Sequence, residues 1–137
     1  MNKYMEIAYN LAKKSFKLKE VPVGEVIVKN NKIIAKSYNN RQLKHSVLGH
    51  AEINCILKAE KRIKDWRLDD CEMYVTLEPC EMCRILIRES RISKVFYLVS
   101  AKSDKFESNS IKKTNICLEI EEKYQKLLDN FFKSLRK

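Results

Sequence analysis

His50-Ala51-Glu52, followed further along by Pro79-Cys80-Glu81-Met82-Cys83, is the pair of stretches on which the reading of this chain turns. Together they supply three metal donors, His50, Cys80 and Cys83, and one acid, Glu52, that is not needed as a ligand. A catalytic zinc takes three protein ligands and keeps its fourth position for water, whereas a structural zinc is closed by four. His50 offers a neutral imidazole; the cysteines bind as thiolates, which both the metal and the positive end of a helix favour. Pro79 stands where a helix opening at Cys80 would be signalled. Zinc lowers the pKa of a bound water toward about 7, and a neighbouring carboxylate can take that proton and return it to a departing group. The expectation is one zinc per chain, with Glu52 as the proton shuttle.

A C-x-x-C pair alone would suit a redox dithiol or half of a structural zinc site. Neither calls for His-x-Glu upstream or for a proline before the first cysteine. Cys55, Cys71 and Cys117 lie in apolar or strand-like stretches and are read as buried core thiols. His45 has no partner at a ligand spacing and is read as a solvated loop histidine.

The 137 residues fit one domain, 1–137, long enough to bury a core without disulfide or metal staples. Met1 to Phe16 alternates charged with apolar residues and resembles neither a signal peptide nor a bilayer span. With an odd count of five cysteines, two of them assigned to metal, the expectation is a reducing cytoplasm and no membrane anchor. A net charge of +10 and a pI near 9.4 suit a polyanionic partner. Lysines spread over a solvated surface would give the same charge, so composition leaves both readings open.

Tyr4, Ala8, Leu11, Ala12 and Ser15 recur at helical spacing and mark a first helix. Val23 to Val28 and Ile33 to Tyr38 read as strands joined by a turn at Asn30-Asn31. A loop from Asn39 to Gly49 leads into a second helix, whose Ile53, Ile56, Leu57 and Ile63 are expected on its buried face. Glu72 to Leu77 is a third strand, Cys80 to Ser90 a third helix, and Lys94 to Val99 a fourth strand. Ser100 to Asn115 reads as a loop or short irregular helix, and Ile116 to Ile120 as a fifth strand. Glu121 to Arg136 carries Tyr124, Leu127, Leu128, Phe131 and Leu135 at helical spacing. That order implies an α/β fold, a mixed five-stranded sheet with helices on both faces. It also puts His50 and Cys80 at helix starts, so that two positive helix ends converge on one zinc.

The H-x-E and P-C-x-x-C pair is the signature of zinc deaminases acting on nucleobases, and further blocks narrow the likeness. Glu20-Val21-Pro22-Val23-Gly24, Tyr74-Val75-Thr76-Leu77-Glu78-Pro79-Cys80, Ser90-Arg91-Ile92 and Asp129-Asn130-Phe131-Phe132-Lys133 resemble those of tRNA-specific adenosine deaminases of the bacterial TadA type. These belong to the cytidine deaminase-like superfamily, and the resemblance covers nearly the whole chain. It implies a three-layer α/β/α fold and conversion of the wobble adenosine of a tRNA anticodon to inosine by a zinc-containing homodimer. The implied partner is the anticodon stem-loop.

Position by position, the resemblance implies a purine contact for Asn39, eleven residues before His50, although a turn residue after the second strand would look the same. It implies contacts to neighbouring anticodon nucleotides for Glu20, Phe131 and Phe132; either Phe could equally be a core residue of the last helix. Lys133, with Arg136 and Lys137, would suit phosphates. The chain departs from the family at Arg84-Ile85-Leu86, where A-G-A is usual, and at Ser100, where an acid stands; the glycine-rich turn that follows is absent. These departures bear on the surroundings of the target nucleotide and leave the donors and Glu52 untouched. Two other classes remain open: a zinc deaminase of a free base, nucleoside or nucleotide (cytosine, cytidine, deoxycytidylate or guanine), and a non-catalytic RNA-binding partner subunit. Glu52 speaks against the second, which has no need of a proton shuttle.

Overall fold

Two asparagines set the first hairpin. Asn30 and Asn31 both take left-handed backbone angles, φ 51 and 62, which their short amide side chains tolerate. They join β1 (Gly24–Lys29) to an antiparallel β2 (Lys32–Tyr38), with a register shift between Ile27 and Val28. The computed structural model describes residues 3–40, 50–100, 111–113 and 118–135. Within them β1 pairs on its other side with β3 (Cys71–Leu77), again antiparallel, and β3 runs parallel to β4 (Lys94–Val99). These four strands are the body of a mixed sheet. A three-residue segment, β5 (Ile111–Lys113), pairs parallel with β4 at its edge, giving the order β2-β1-β3-β4-β5.

The last strand therefore lies upstream of Ile116 to Ile120, where the sequence reading put it. Residues 118–120 instead begin a helix, α4 (Leu118–Ser134). The reason is packing: Ile120, Tyr124 and Leu128 are all buried in one cluster at a spacing of four, which is a helical stripe and not a strand's alternation.

Strand alternation divides the apolar residues between two faces. Ile27, Met73, Val75, Val95 and Tyr97 pack with Ala51, Cys55, Ile56 and Ala59 of α2 (Ala51–Ile63) and Ile87 of α3 (Glu81–Glu89). Val26, Val28, Tyr74 and Leu98 face the other way, against Met5, Ala8 and Ala12 of α1 (Lys3–Lys17) and the stripe of α4. The result is the expected three-layer α/β/α arrangement. Helix α1 lies directly on β1 because Gly24 has no side chain; a Cβ there would stand 1.9 Å from the Ala8 carbonyl oxygen.

One expected core residue is not in the core. Leu57 is 56 % exposed and Ile63 only half-buried. At 3.6 residues per turn Leu57 falls on the far side of α2 from the buried Cys55 and Ala59. Residues 41–49 with His45, 101–110, 114–117 with Cys117, and Arg136 and Lys137 lie outside the described residues. Among the described residues no helix is long and apolar enough to cross a membrane.

Candidate active site

The sheet delivers its chemistry at two helix starts. His50 is the N-cap of α2 and Cys80 the N-cap of α3, and neither side chain is used to cap its helix. Their carbonyls instead accept the first intrahelical bonds, from the N–H of Asn54 at 3.0 Å and of Arg84 at 2.9 Å. Both side chains are thus free to turn toward a shared point. Strand β3 reaches that point through Glu78-Pro79, and the Glu78 N–H is tied to the Val99 carbonyl at the end of β4, 2.9 Å away.

His50 Nδ1 lies 3.9 Å from Cys80 Sγ and 3.7 Å from Cys83 Sγ, and the three donor atoms are all within 4.8 Å of one another. Tetrahedral zinc, with bonds of about 2.0–2.1 Å to nitrogen and about 2.3 Å to sulfur, sets such donors roughly 3.5–3.8 Å apart. The spacing fits, and one imidazole with two thiols is a soft set suited to that metal. Cys83 is fully buried while Cys80 is exposed, so the group opens to one side. A hydrogen bond from the Cys83 thiol holds Cys80 well below the ordinary thiol range, at about 5. The same hydrogen bond, with burial, pushes Cys83 up.

Beside this group is a cavity of about 620 Å³ lined by His50, Cys80, Glu52, Asn39, Glu20 and the Phe131-Phe132 pair, among others. Glu52, in the first turn of α2, is 5 % exposed. Burial lifts its carboxyl to about 7, and the nearby Cys80 charge adds to the rise. Asn39 donates its amide to the Val21 carbonyl at 3.1 Å, and its Oδ1, buried, has no hydrogen-bond partner among the described residues. Glu20 is buried just after Lys19, whose left-handed φ of 63 turns the chain off α1. Phe131 is buried, edge-on to Phe16 at 6.5 Å, whereas Phe132 is 43 % exposed. Lys133 does not line this cavity. It opens on a second one of about 870 Å³ with Ser100, and the two cavities share Leu77, Phe132 and Leu135. Cys55 and Cys71 are fully buried, as expected of core thiols.

Two features escaped the sequence reading. Glu25, on β1, is fully buried, and among the described residues neither carboxylate oxygen has a hydrogen-bond partner. Burial first and the charge of Glu52 second push its carboxyl well above the usual range. Its signal was present: an acid inside the apolar run Val23 to Val28. The other is the buried ion pair of Arg84 with Glu78, which Arg84 announced by standing where a small residue was expected.

Comparison with known proteins matches residues 1–136 to the MafB19-like deaminase family. The tRNA-specific adenosine deaminase of Buchnera aphidicola subsp. Baizongia pistaciae is 39 % identical, covering 98 % of this chain and 89 % of its own. That of Aquifex aeolicus is 36 % identical over 97 % and 94 %. Among solved structures, one from a study of A-to-I editing by tRNA:A34 deaminases superposes with a TM-score of 0.74 at 28 % identity, covering 82 % of this chain and 97 % of that one. Guanine deaminase from Bacillus subtilis superposes with a TM-score of 0.69 at 28 % identity over 95 % of each chain.

Proposed function

The chain belongs to the tRNA-specific adenosine deaminases and to the MafB19-like deaminase family, and on that premise we propose that it converts the wobble adenosine of a tRNA anticodon to inosine by hydrolysis. The observation that carries the proposal is the meeting of the His50, Cys80 and Cys83 donors with the buried carboxyl of Glu52 at one cavity. His50, Cys80 and Cys83 would hold one zinc per chain. When bound, the zinc acts as a Lewis acid that brings a water's pKa toward about 7.

The rest of the chemistry belongs to the chain. Water oxygen bonds to the purine carbon that carries the amino group, and the amino group leaves as ammonia. Glu52 takes one proton from the attacking water and passes it to the adjacent ring nitrogen, then takes the second from the new hydroxyl and gives it to the departing amine. Its raised pKa, about 7, suits a group that must both accept and donate. Asn39 orients the purine, its Oδ1, which has no partner among the described residues, accepting from a base or ribose donor. Glu20, Phe131 and Phe132 engage the neighbouring nucleotides, with the exposed Phe132 as a stacking face. Lys133, at the adjoining cavity, meets phosphate.

The chain acts as a single deaminase domain in the cytoplasm and pairs with a second copy. Support for pairing is an apolar face on α2 and α3, where Leu57, Trp66 and Leu86 are exposed around a cavity of about 260 Å³ floored by Ile53. The likeness to a guanine deaminase gives the competing reading, a deaminase of free bases. Incubating the zinc-loaded protein with an anticodon stem-loop, and separately with guanine or cytidine, decides between them. Inosine in the stem-loop is the expected product. Ammonia released from a free base, with the RNA unchanged, would replace this function with the other.

A further inference from the structure

We propose that Arg84 is a positioning residue for the metal-binding turn, bracing the segment that carries Cys80 from within the helix that carries Cys83; this rests on the reading that His50, Cys80 and Cys83 hold zinc. Arg84 is in the first turn of α3, yet its side chain folds back over the turn that precedes the helix. Nε donates to the Pro79 carbonyl at 3.2 Å, and Nη2 forms an ion pair with Glu78 Oε2. The two side chains are 11 % and 1 % exposed, so water and salt screen the pair little.

A cation at a helix N-terminus opposes the helix dipole, so α3 itself does not favour Arg84 at this place. The turn that it clasps supplies the compensation. Glu78 is fixed from its other side by the bond from its N–H to Val99, and Arg84 thus links the sheet end to the first turn of α3. Enclosed between them is Cys80, whose carbonyl accepts from the Arg84 N–H and whose Sγ faces His50 Nδ1 at 3.9 Å. Cys83 is held inside α3 and fully buried, whereas Cys80 is exposed at the helix end, so the ligand that most needs bracing is the one enclosed. A guanidinium suits the task because its planar fork reaches two acceptors at once, which an ammonium on a flexible stem does less well.

The experiment loads the full chain with zinc, adds an excess of a chromogenic chelator, and follows zinc release from wild type, Arg84→Ala, Arg84→Lys and Glu78→Gln. Groups that orient a metal ligand typically change metal affinity by about 10- to 100-fold when removed, so Arg84→Ala should release zinc at least about tenfold faster. Arg84→Lys should recover part of that loss. In stem-loop deamination kcat should fall while KM stays within about twofold, since Arg84 acts through Cys80 and not on the RNA. Should Arg84→Ala fail to fold, the Lys and Gln variants carry the test, each expected to release zinc several-fold faster than wild type. Folded variants that melt lower but release zinc at the wild-type rate would show ordinary structural support and overturn the brace alone. A wild-type chain that holds no zinc would overturn the metal reading and the brace together.

Discussion

Glu52 is held out of water in the first turn of α2, next to the thiols and to a second buried acid, Glu25. Glu52→Gln keeps the shape and removes the proton acceptor, so turnover should fall by roughly a hundred- to ten-thousandfold. Zinc content by metal analysis and RNA affinity should stay as in wild type; a Gln variant with near-normal turnover would end the shuttle assignment. Glu25 leads to a different expectation. On the α2 side Glu52 and Cys55 face it, and neither supplies a cation. Its unfolded carboxyl titrates near the ordinary 4.5 and its folded one well above that. In between, the unfolded chain gives up a proton that the folded chain keeps, so stability falls as pH rises. This contribution is complete below the unfolded value and is lost as pH climbs through the folded one. Glu25→Gln should therefore raise the melting temperature over wild type more at pH 8 than at pH 5. Equal gains at the two pH values would show that Glu25 is not held neutral. The grouping of His50, Cys80 and Cys83 beside Glu52 was legible because residue type and spacing, at His50-x-Glu52 and Cys80-x-x-Cys83, mark candidate ligands. The isolation of Glu25 was not, because it exists only once α2 covers β1.

Elements were legible where their period was clean. Asn30-Asn31 marked the hairpin and takes the left-handed angles that its turn needs, and Lys94–Val99 is a strand with the bounds the sequence suggested. Ile116 to Ile120 misled because a short apolar, β-branched run fits either period. The helical identity of residues 118–120 is settled by the distant partners of Ile120, Tyr124 and Leu128 on the sheet. The same helix divides its two phenylalanines by depth, which ordering by sequence could not do. Phe131→Ala removes a buried ring and should cost about 3–5 kcal/mol of stability by chemical denaturation. Phe132→Ala removes an exposed ring at the junction of the two cavities, so it should leave stability nearly unchanged. Its effect should appear in RNA binding, weakened about tenfold for the loss of one stacked base worth roughly 1–3 kcal/mol. A Phe132→Ala protein that binds the stem-loop at wild-type affinity would remove Phe132 from the RNA contact.

At the scale of the whole molecule, two surfaces remain that no single motif describes. The net charge of +10 is spread along the chain, and its use is a matter of salt. If lysines meet phosphates, RNA affinity must fall as a power of salt concentration. The apolar face on α2 and α3 was hidden from the sequence because Leu57 follows the buried Ile53 at a helical spacing of four, although it lies across the helix from Cys55 and Ala59, which the sheet covers. Trp66 lies just past the C-terminal end of α2, 54 % exposed beside Arg67 and Arg91, and Leu86 comes from α3. An exposed patch assembled from three separate stretches is costly in water unless covered, and the proposed cover is the same face of a second copy, related by twofold symmetry. Because each copy would present Leu57 to its partner, Leu57→Glu places two like charges at one apolar contact while altering little in the monomer, where the residue already meets solvent. The variant should sediment as a monomer at concentrations at which wild type is a dimer, with its melting transition and zinc content preserved. A wild-type chain that sediments as a monomer, or a Leu57→Glu chain that still dimerises, would move the interface elsewhere.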